Sequence, residues 1–137
     1  MRVRIGPYRK NRAVKVEIEP HDTWNMDVTL AYIIHPMLVQ LKETKHGAPM
    51  VENSDVPLGM EMSEEAMDKF RNGETDGKFF DRWDWVLDEM IWAFEQVKLG
   101  QELDQPYIGK WGMGDKYDER KSNGFRLFGK YYEALWD

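Results

Sequence analysis

The chain has 137 residues, of which 42% are hydrophobic, 13% aromatic and 32% charged, and its formal net charge at pH 7 is -6. This balance predicts one globular domain over residues 1–137 and excludes a disordered chain. The absence of cysteine excludes disulfides, thiolate catalysis and thiolate zinc sites. No apolar run approaches the roughly 20 residues of a membrane-spanning helix, and none follows the basic amino terminus as in a secretory signal. We therefore expect a cytoplasmic protein that has no membrane partner.

Two segments within residues 1–20 alternate between apolar and polar side chains, RVRIG and AVKVEIE. A period of two predicts half-buried strands. The intervening PYRKNR is rich in turn-forming residues, which favours an antiparallel pair. Because a two-stranded sheet is marginal by itself, we expect this pair to pack on the helices.

Residues 23–46 are predicted to form the central helix, with Asp22 or Thr23 as its N-cap. Apolar residues occupy a broad stripe of this helix and part of its opposite side, so both faces should be covered. Pro36 lies inside the helix and has no backbone N–H to donate, which predicts a kink or a division near His35.

Residues 47–78 show no period and contain prolines, which predicts an irregular segment. Within it, a short helix should begin at Ser63 and end at Asn72. A second irregular stretch, rich in glycine, is predicted over residues 100–116.

The sequence FFDRWDWVLDEMIWAF, residues 79–94, lies in a predicted helix over residues 77–98 that ends before Gly100. One face is a continuous apolar stripe. The other face carries acids and two indoles, namely Asp81, Asp88, Glu95, Trp85 and Trp92.

A closing helix is predicted over residues 118–136. Gly124 and Gly129 weaken it by about 1 kcal/mol each relative to alanine, and a close helix crossing would offset that cost. The fold class is therefore predicted as α+β and mainly helical, with the two-stranded antiparallel pair packed on about three principal helices. The predicted core contains Ile33, Ile34, Leu38, Leu41, Trp83, Val86, Leu87, Met90, Phe94, Phe125, Phe128, Tyr132 and Leu135.

Three long stretches carry a resemblance: DTWNMDVTLAYIIHPMLVQLKETKHGAP, DRWDWVLDEMIWAFE and NGFRLFGKYYEALWD. Together they resemble a small protein encoded by large contractile-tailed phages of marine cyanobacteria. The resemblance covers most of the chain except about residues 53–78. It implies a phage context and residence in an infected bacterial cell, and it implies no mechanism and no site residue. An accessory protein that acts on host or phage machinery is the expected class, and a virion component is the alternative.

The indoles Trp85 and Trp92 are the main functional candidates. Half-exposed tryptophans with acidic neighbours, here Asp81, Asp88 and Glu95, are typical of an anchor in a protein interface. The leading hypothesis is therefore a non-enzymatic protein that binds a protein partner, or a second copy of itself, through this aromatic and acidic face. The alternative is that other parts of the same chain cover the two indoles.

A second hypothesis is a metal-assisted hydrolase that uses Asp81, Asp84 and Asp88, since hard cations prefer carboxylate oxygens. The helix lacks the Glu-x-x-His motif that commonly completes such sites. We expect no metal ligands, no cofactor and no catalytic residues from the sequence. His21, His35 and His46 carry no catalytic signature, and KWGMGDK lacks the third glycine of a dinucleotide-binding loop.

A third hypothesis is nucleic-acid binding by the basic amino-terminal segment. Residues 1–15 contain six of the 19 Lys and Arg residues and no acid, which leaves 13 basic and 25 acidic residues, a net charge of -12, in the rest. Cations would contact phosphates and a tyrosine would stack on a base. The candidates are Arg2, Arg4, Tyr8, Arg9, Lys10 and Arg12. The competing interpretation is that this segment pairs with the acidic helices of its own chain.

Overall fold

The computed structural model describes residues 1–102 and 115–137, and it confirms a mainly helical α+β fold with a two-stranded antiparallel sheet. Short 3-10 turns at Pro20–Thr23, Asn53–Asp55 and Tyr132–Ala134 complete these parts of the chain. The predicted loop over residues 100–116 lies mostly outside the described residues. The strands and helices are β1 (Arg2–Ile5), β2 (Val14–Glu17), α1 (Met26–Thr44), α2 (Glu64–Arg71), α3 (Phe79–Glu102) and α4 (Asp115–Lys130).

The β1–β2 hairpin pairs Val3 with Val16 and Ile5 with Val14, so its apolar side chains share one face. The structure does not have the expected packing of this pair against the helices. Every strand residue except Glu17 is exposed. A 3-10 turn places the hairpin beside the start of α1, whereas the irregular segment that follows α1 supplies residues to the core.

Helix α3 is the centre of the fold, with α1 and α4 packed against it. Its apolar stripe is fully buried at Trp83, Val86, Leu87 and Met90, as the helical period predicts. The prediction omitted four core residues on other elements and placed Tyr132 in the core, although Tyr132 is exposed. The omitted residues are Ala31, Val51, Leu127 and Tyr131.

The crossing of α3 and α4 depends on Gly124. A Cβ atom at this position would lie 2.4 Å from the Ala93 Cβ and 2.7 Å from the Glu89 carbonyl oxygen. Gly124 therefore allows the two backbones to approach closely, which is the compensation expected from the sequence. Gly129 faces open space and has no such role.

Three features of α1 and α3 differ from the prediction. Asp22 does not cap α1: its carboxylate accepts from the Glu19 backbone N–H at 2.7 Å and pairs with the amino-terminal ammonium at 3.0 Å. Pro36 lies within a single assigned helix, Met26–Thr44, and does not divide it. Helix α3 continues through Gly100, because one glycine costs a helix only about 1 kcal/mol.

Helix α4 ends at Lys130, six residues before the predicted end, and a 3-10 turn follows. The change of period rotates Tyr132 out of the core and leaves it 63% exposed. Helix α2 begins after Ser63, whose hydroxyl accepts from the Ala66 N–H at 3.1 Å, and it ends at Arg71, shortly before the left-handed Gly73.

A buried carboxylate fixes the irregular segment to α4. Asp55 accepts hydrogen bonds from Arg126 at 2.7 Å, from Lys130 at 2.5 Å and from the Tyr131 hydroxyl at 2.6 Å. Burial alone would raise the pKa of the Asp55 carboxyl, but hydrogen bonds from Lys130, Tyr131 and Arg126 hold it below its usual value. Burial, together with the bond to Asp55, raises the pKa of Tyr131 to about 12.

A second polar anchor is Arg82, which is fully buried at the edge of the α3 stripe. Its guanidinium donates to both carboxylate oxygens of Asp76 at 2.7 and 2.6 Å and to the carbonyl oxygen of Met60. In the sequence, an arginine beside an apolar stripe indicates such a buried ion pair. An unpaired buried charge is costly, so a buried arginine needs an acidic partner. The irregular segment is therefore held at two points.

Candidate protein-binding surface

The indole of Trp92 is covered by α4. The Arg120 guanidinium lies 4.0 Å from the centre of the indole ring, and the Tyr117 ring meets the indole edge-on at 5.3 Å. Arg120 also donates two 3.0 Å hydrogen bonds to Glu89, which is buried. Glu89 is therefore part of the α3–α4 contact.

Trp85 is half-buried and packs against the core. Two acidic residues near it, Asp84 and Asp88, pair with lysines at the end of α1. Lys42 pairs with Asp88 at 2.7 Å, and Lys45, which follows the helix directly, pairs with Asp84. Asp81 and Glu95 are exposed. The five residues of the predicted interface thus lie along α3, and α1 and α4 already engage much of that surface.

The described residues, 1–102 and 115–137, contain no group of three His, Asp or Glu side chains placed to hold a metal ion. Asp84 and Asp88 are each held by a lysine. The three histidines lie in separate contacts. His21 packs against Trp24, and His46 contacts the carboxylate of Asp137 at 3.0 Å.

His35 contacts Lys98 of helix α3. Its Nδ1 lies 3.4 Å from the Lys98 ammonium. Burial, and then the nearby Lys98 charge, lower the pKa of His35. A neutral ring that accepts from Lys98 accounts for this geometry.

The basic amino-terminal residues lie on the exposed hairpin and do not cross the acidic helices. Arg2 and Lys15 pair with Glu17 of the hairpin itself, at 4.0 and 2.7 Å. Tyr8 is 93% exposed in the turn, and the guanidinium of Arg12 lies 5.7 Å from the centre of its ring. The remaining nucleic-acid candidates, Arg4, Arg9 and Lys10, are exposed.

An apolar groove lies between α1 and the end of α4 with the segment that follows it. We call it the α1 groove. It has a volume of about 660 Å³. Helix α1 contributes Leu30, Ile34, Met37, Leu38 and Leu41 to one wall.

The opposite wall of the α1 groove is formed by Phe128, Tyr132 and Leu135. Met37 and Tyr132 are 67% and 63% exposed. Large apolar side chains with this exposure on the walls of one groove are typical of an interaction surface.

Contacts at the carboxyl terminus hold the second wall in place. Gly47 lies against the indole of Trp136, with 3.6 Å between its ideal Cβ position and the ring. The backbone N–H of His46 donates to Asp137, and this hydrogen bond lowers the pKa of the Asp137 carboxyl. The chain end is therefore fixed beside the end of α1, and the groove is preformed.

The sequence predicts the apolar stripe of α1 and places that stripe in the core. The sequence feature that indicates the groove is the excess of apolar residues on two sides of α1. Helix α3 can cover only one of these two sides. The exposure of the other side depends on where α4 ends, which the hydropathy pattern does not determine.

Comparison with protein-family models, with curated proteins and with solved structures found no match. None of the helices over residues 1–102 and 115–137 combines the length and apolar content needed to cross a bilayer.

Proposed function

We propose that this protein is a non-enzymatic accessory protein that works as an assembly with a second copy of itself, formed through the α1 groove. A phage origin, and action in the cytoplasm of the infected cell, are part of the same proposal and rest on the sequence resemblance. The supporting observation is the exposure of Met37 and Tyr132 in a groove that residues 1–102 and 115–137 leave uncovered.

The chemistry of the groove favours a polypeptide over a small ligand. Small-molecule sites combine apolar walls with a few converging polar groups that orient the ligand. Seven of the eight lining residues have purely hydrocarbon or thioether side chains, and Tyr132 supplies the one hydroxyl. Such a surface gains free energy mainly by burying apolar area.

The charge distribution favours a second copy as the occupant. Residues 1–15 carry six positive charges and no acid, and the rest of the chain carries a net charge of -12. Two copies can therefore approach with the basic arm of each near the acidic body of the other. Complementary potentials of this kind steer association and fix orientation.

Met37→Asp is expected to weaken self-association by about 100-fold or more, because it places a charge in the centre of an apolar contact worth roughly 2–4 kcal/mol. Sedimentation velocity over a concentration series measures the change in Kd. Leu58→Asp is the matched control, since Leu58 is 94% exposed and lies outside the groove. Equal Kd values for the two variants would contradict the proposal.

Nucleic-acid binding by the hairpin is the second candidate, because the hairpin cations are exposed and Arg2 and Lys15 pair within the hairpin, with Glu17. The turn places Tyr8 at its tip, where it is available to stack on a base. The β1–β2 ribbon is also of a kind that fits a DNA groove.

The double substitution Arg9→Glu with Lys10→Glu is expected to abolish retention on duplex DNA at low salt. If each cation contacts one phosphate, the salt dependence of binding should fall by about one unit of slope per residue. Fluorescence anisotropy with a labelled duplex measures both quantities. The control variant carries Lys69→Glu and Lys116→Glu, which change the net charge by the same amount but lie on the helices. This variant should bind DNA with the same affinity as the unaltered chain. No binding by the unaltered chain at low salt would dispose of this candidate.

A further inference from the structure

We infer that the part of the second copy seated in the α1 groove is its β1–β2 hairpin, and that the two copies exchange hairpins reciprocally. This inference rests on the proposed self-association and adds the identity of the contacting segment. Each copy then contributes one hairpin and one groove, which closes a two-fold symmetric dimer.

The hairpin has an apolar face that the other described parts of the chain do not cover. Val3, Ile5, Val14 and Val16 share that face and are between 44% and 63% exposed. A two-stranded sheet is marginally stable in water unless its apolar face packs against something. The hairpin and the α1 groove are thus two uncovered apolar surfaces on the same chain.

The dimensions of the two surfaces match. The groove extends along α1 from Leu30 to Leu41, a distance of about 17 Å at 1.5 Å per residue. A strand of four or five residues spans about 10–13 Å at 3.3 Å per residue. The apolar face of one hairpin therefore fits within the length of one groove.

The hairpin contributes no residue to the lining of the groove of its own chain. The ammonium group of Met1 pairs with Asp22 at 3.0 Å, and Asp22 also caps the Glu19 backbone. These contacts fix the hairpin beside the start of α1, where its apolar face remains exposed. A second copy can present its hairpin to the groove without breaking them.

The polar face of the hairpin fits the same arrangement. Arg2, Arg4 and Lys15 point to the side opposite the valines. With the apolar face seated in the groove, these cations remain in water above an acidic body, so no charge is buried. The basic turn around Tyr8 also remains accessible.

Cross-linking between single-cysteine variants tests this inference, because the chain has no native cysteine. Val16→Cys marks the hairpin and Met37→Cys marks the groove, and both positions are exposed, so the fold should be retained. One variant is isotopically labelled, the two are mixed and treated with a short bis-maleimide, and mass spectrometry identifies the linked chains. Leu58→Cys replaces either variant as the control.

We expect linked dimers in the mixture of V16C with M37C, and none from either variant alone or with L58C. Links of M37C to itself, with a dimer by light scattering, would show groove against groove, which overturns the inference and leaves the proposed self-association. Links of V16C to itself alone would show that hairpins pair with each other, which overturns both. A chain that remains monomeric also overturns both.

Discussion

Gly124→Ala is expected to lower the free energy of unfolding by about 2–3 kcal/mol, which corresponds to a fall of roughly 10 °C in Tm for a chain of this length. The added methyl would lie 2.4 Å from the Ala93 Cβ and 2.7 Å from the Glu89 carbonyl oxygen. Neither atom belongs to a flexible side chain end, so α3 and α4 must separate. The gain in helix propensity, about 1 kcal/mol, offsets only part of this cost.

Gly129→Ala is the matched control on the same helix. Nothing lies within 4 Å of its ideal Cβ position, so only the backbone propensity changes, and stability should rise by about 0.5–1 kcal/mol. Urea unfolding of both variants measures the two effects. Changes of the same sign at Gly124 and Gly129 would contradict a close α3–α4 crossing at Gly124.

Asp55→Ala is expected to cost about 2–3 kcal/mol at pH 7. The substitution leaves the buried Tyr131 hydroxyl and the cations of Arg126 and Lys130 without their shared acceptor. Removing one member of a fully buried ion pair costs roughly 3–5 kcal/mol. The value here is smaller because Arg126 and Lys130 are partly exposed and regain water.

The cost of Asp55→Ala should depend on pH. The folded-state pKa of Asp55 lies below its ordinary value of 3.8, so the carboxylate stabilises the fold fully above that value and loses its contribution as pH falls through the folded-state pKa. The difference in unfolding free energy between the unaltered chain and D55A should therefore be constant from pH 5 to pH 7 and shrink below about pH 4.

Asp68→Ala supplies the control for the acid dependence, because Asp68 is an exposed partner of Arg71. Pairs of this type contribute about 0–1 kcal/mol. Urea midpoints at several pH values give the comparison. A cost for D55A that stays the same down to pH 2 would show that the carboxylate charge does not hold the irregular segment.

Periodicity predicted the helices because their burial is set by local spacing. The apolar stripe around Trp83 and Met90 had to face a core, and it does. The role of Gly124 also followed from the sequence, since a helical glycine implies a compensating contact. The exposure of the hairpin could not be predicted in this way. Alternation shows which residues share a face of a strand, but it does not show whether another element covers that face.

The surroundings of Trp92, Asp55 and Met37 were harder to predict for a similar reason. Trp92 was correctly placed beside acidic residues, but its cover depends on Arg120, which the α3–α4 crossing brings from 28 positions along the chain. The buried bonds of Asp55 also join residues more than 70 positions apart. Helical or strand periodicity carries no information about such long-range pairs. Exposure of Met37 depends on where α4 ends.

The molar mass of the unaltered chain in solution tests the central claim most directly. Light scattering at about 100 µM, where a dimer with a micromolar Kd is well populated, should give twice the mass of one 16.3 kDa chain. L58D should behave in the same way, and M37D should give the mass of a single chain. A single-chain mass for the unaltered protein at this concentration would contradict assembly through the α1 groove.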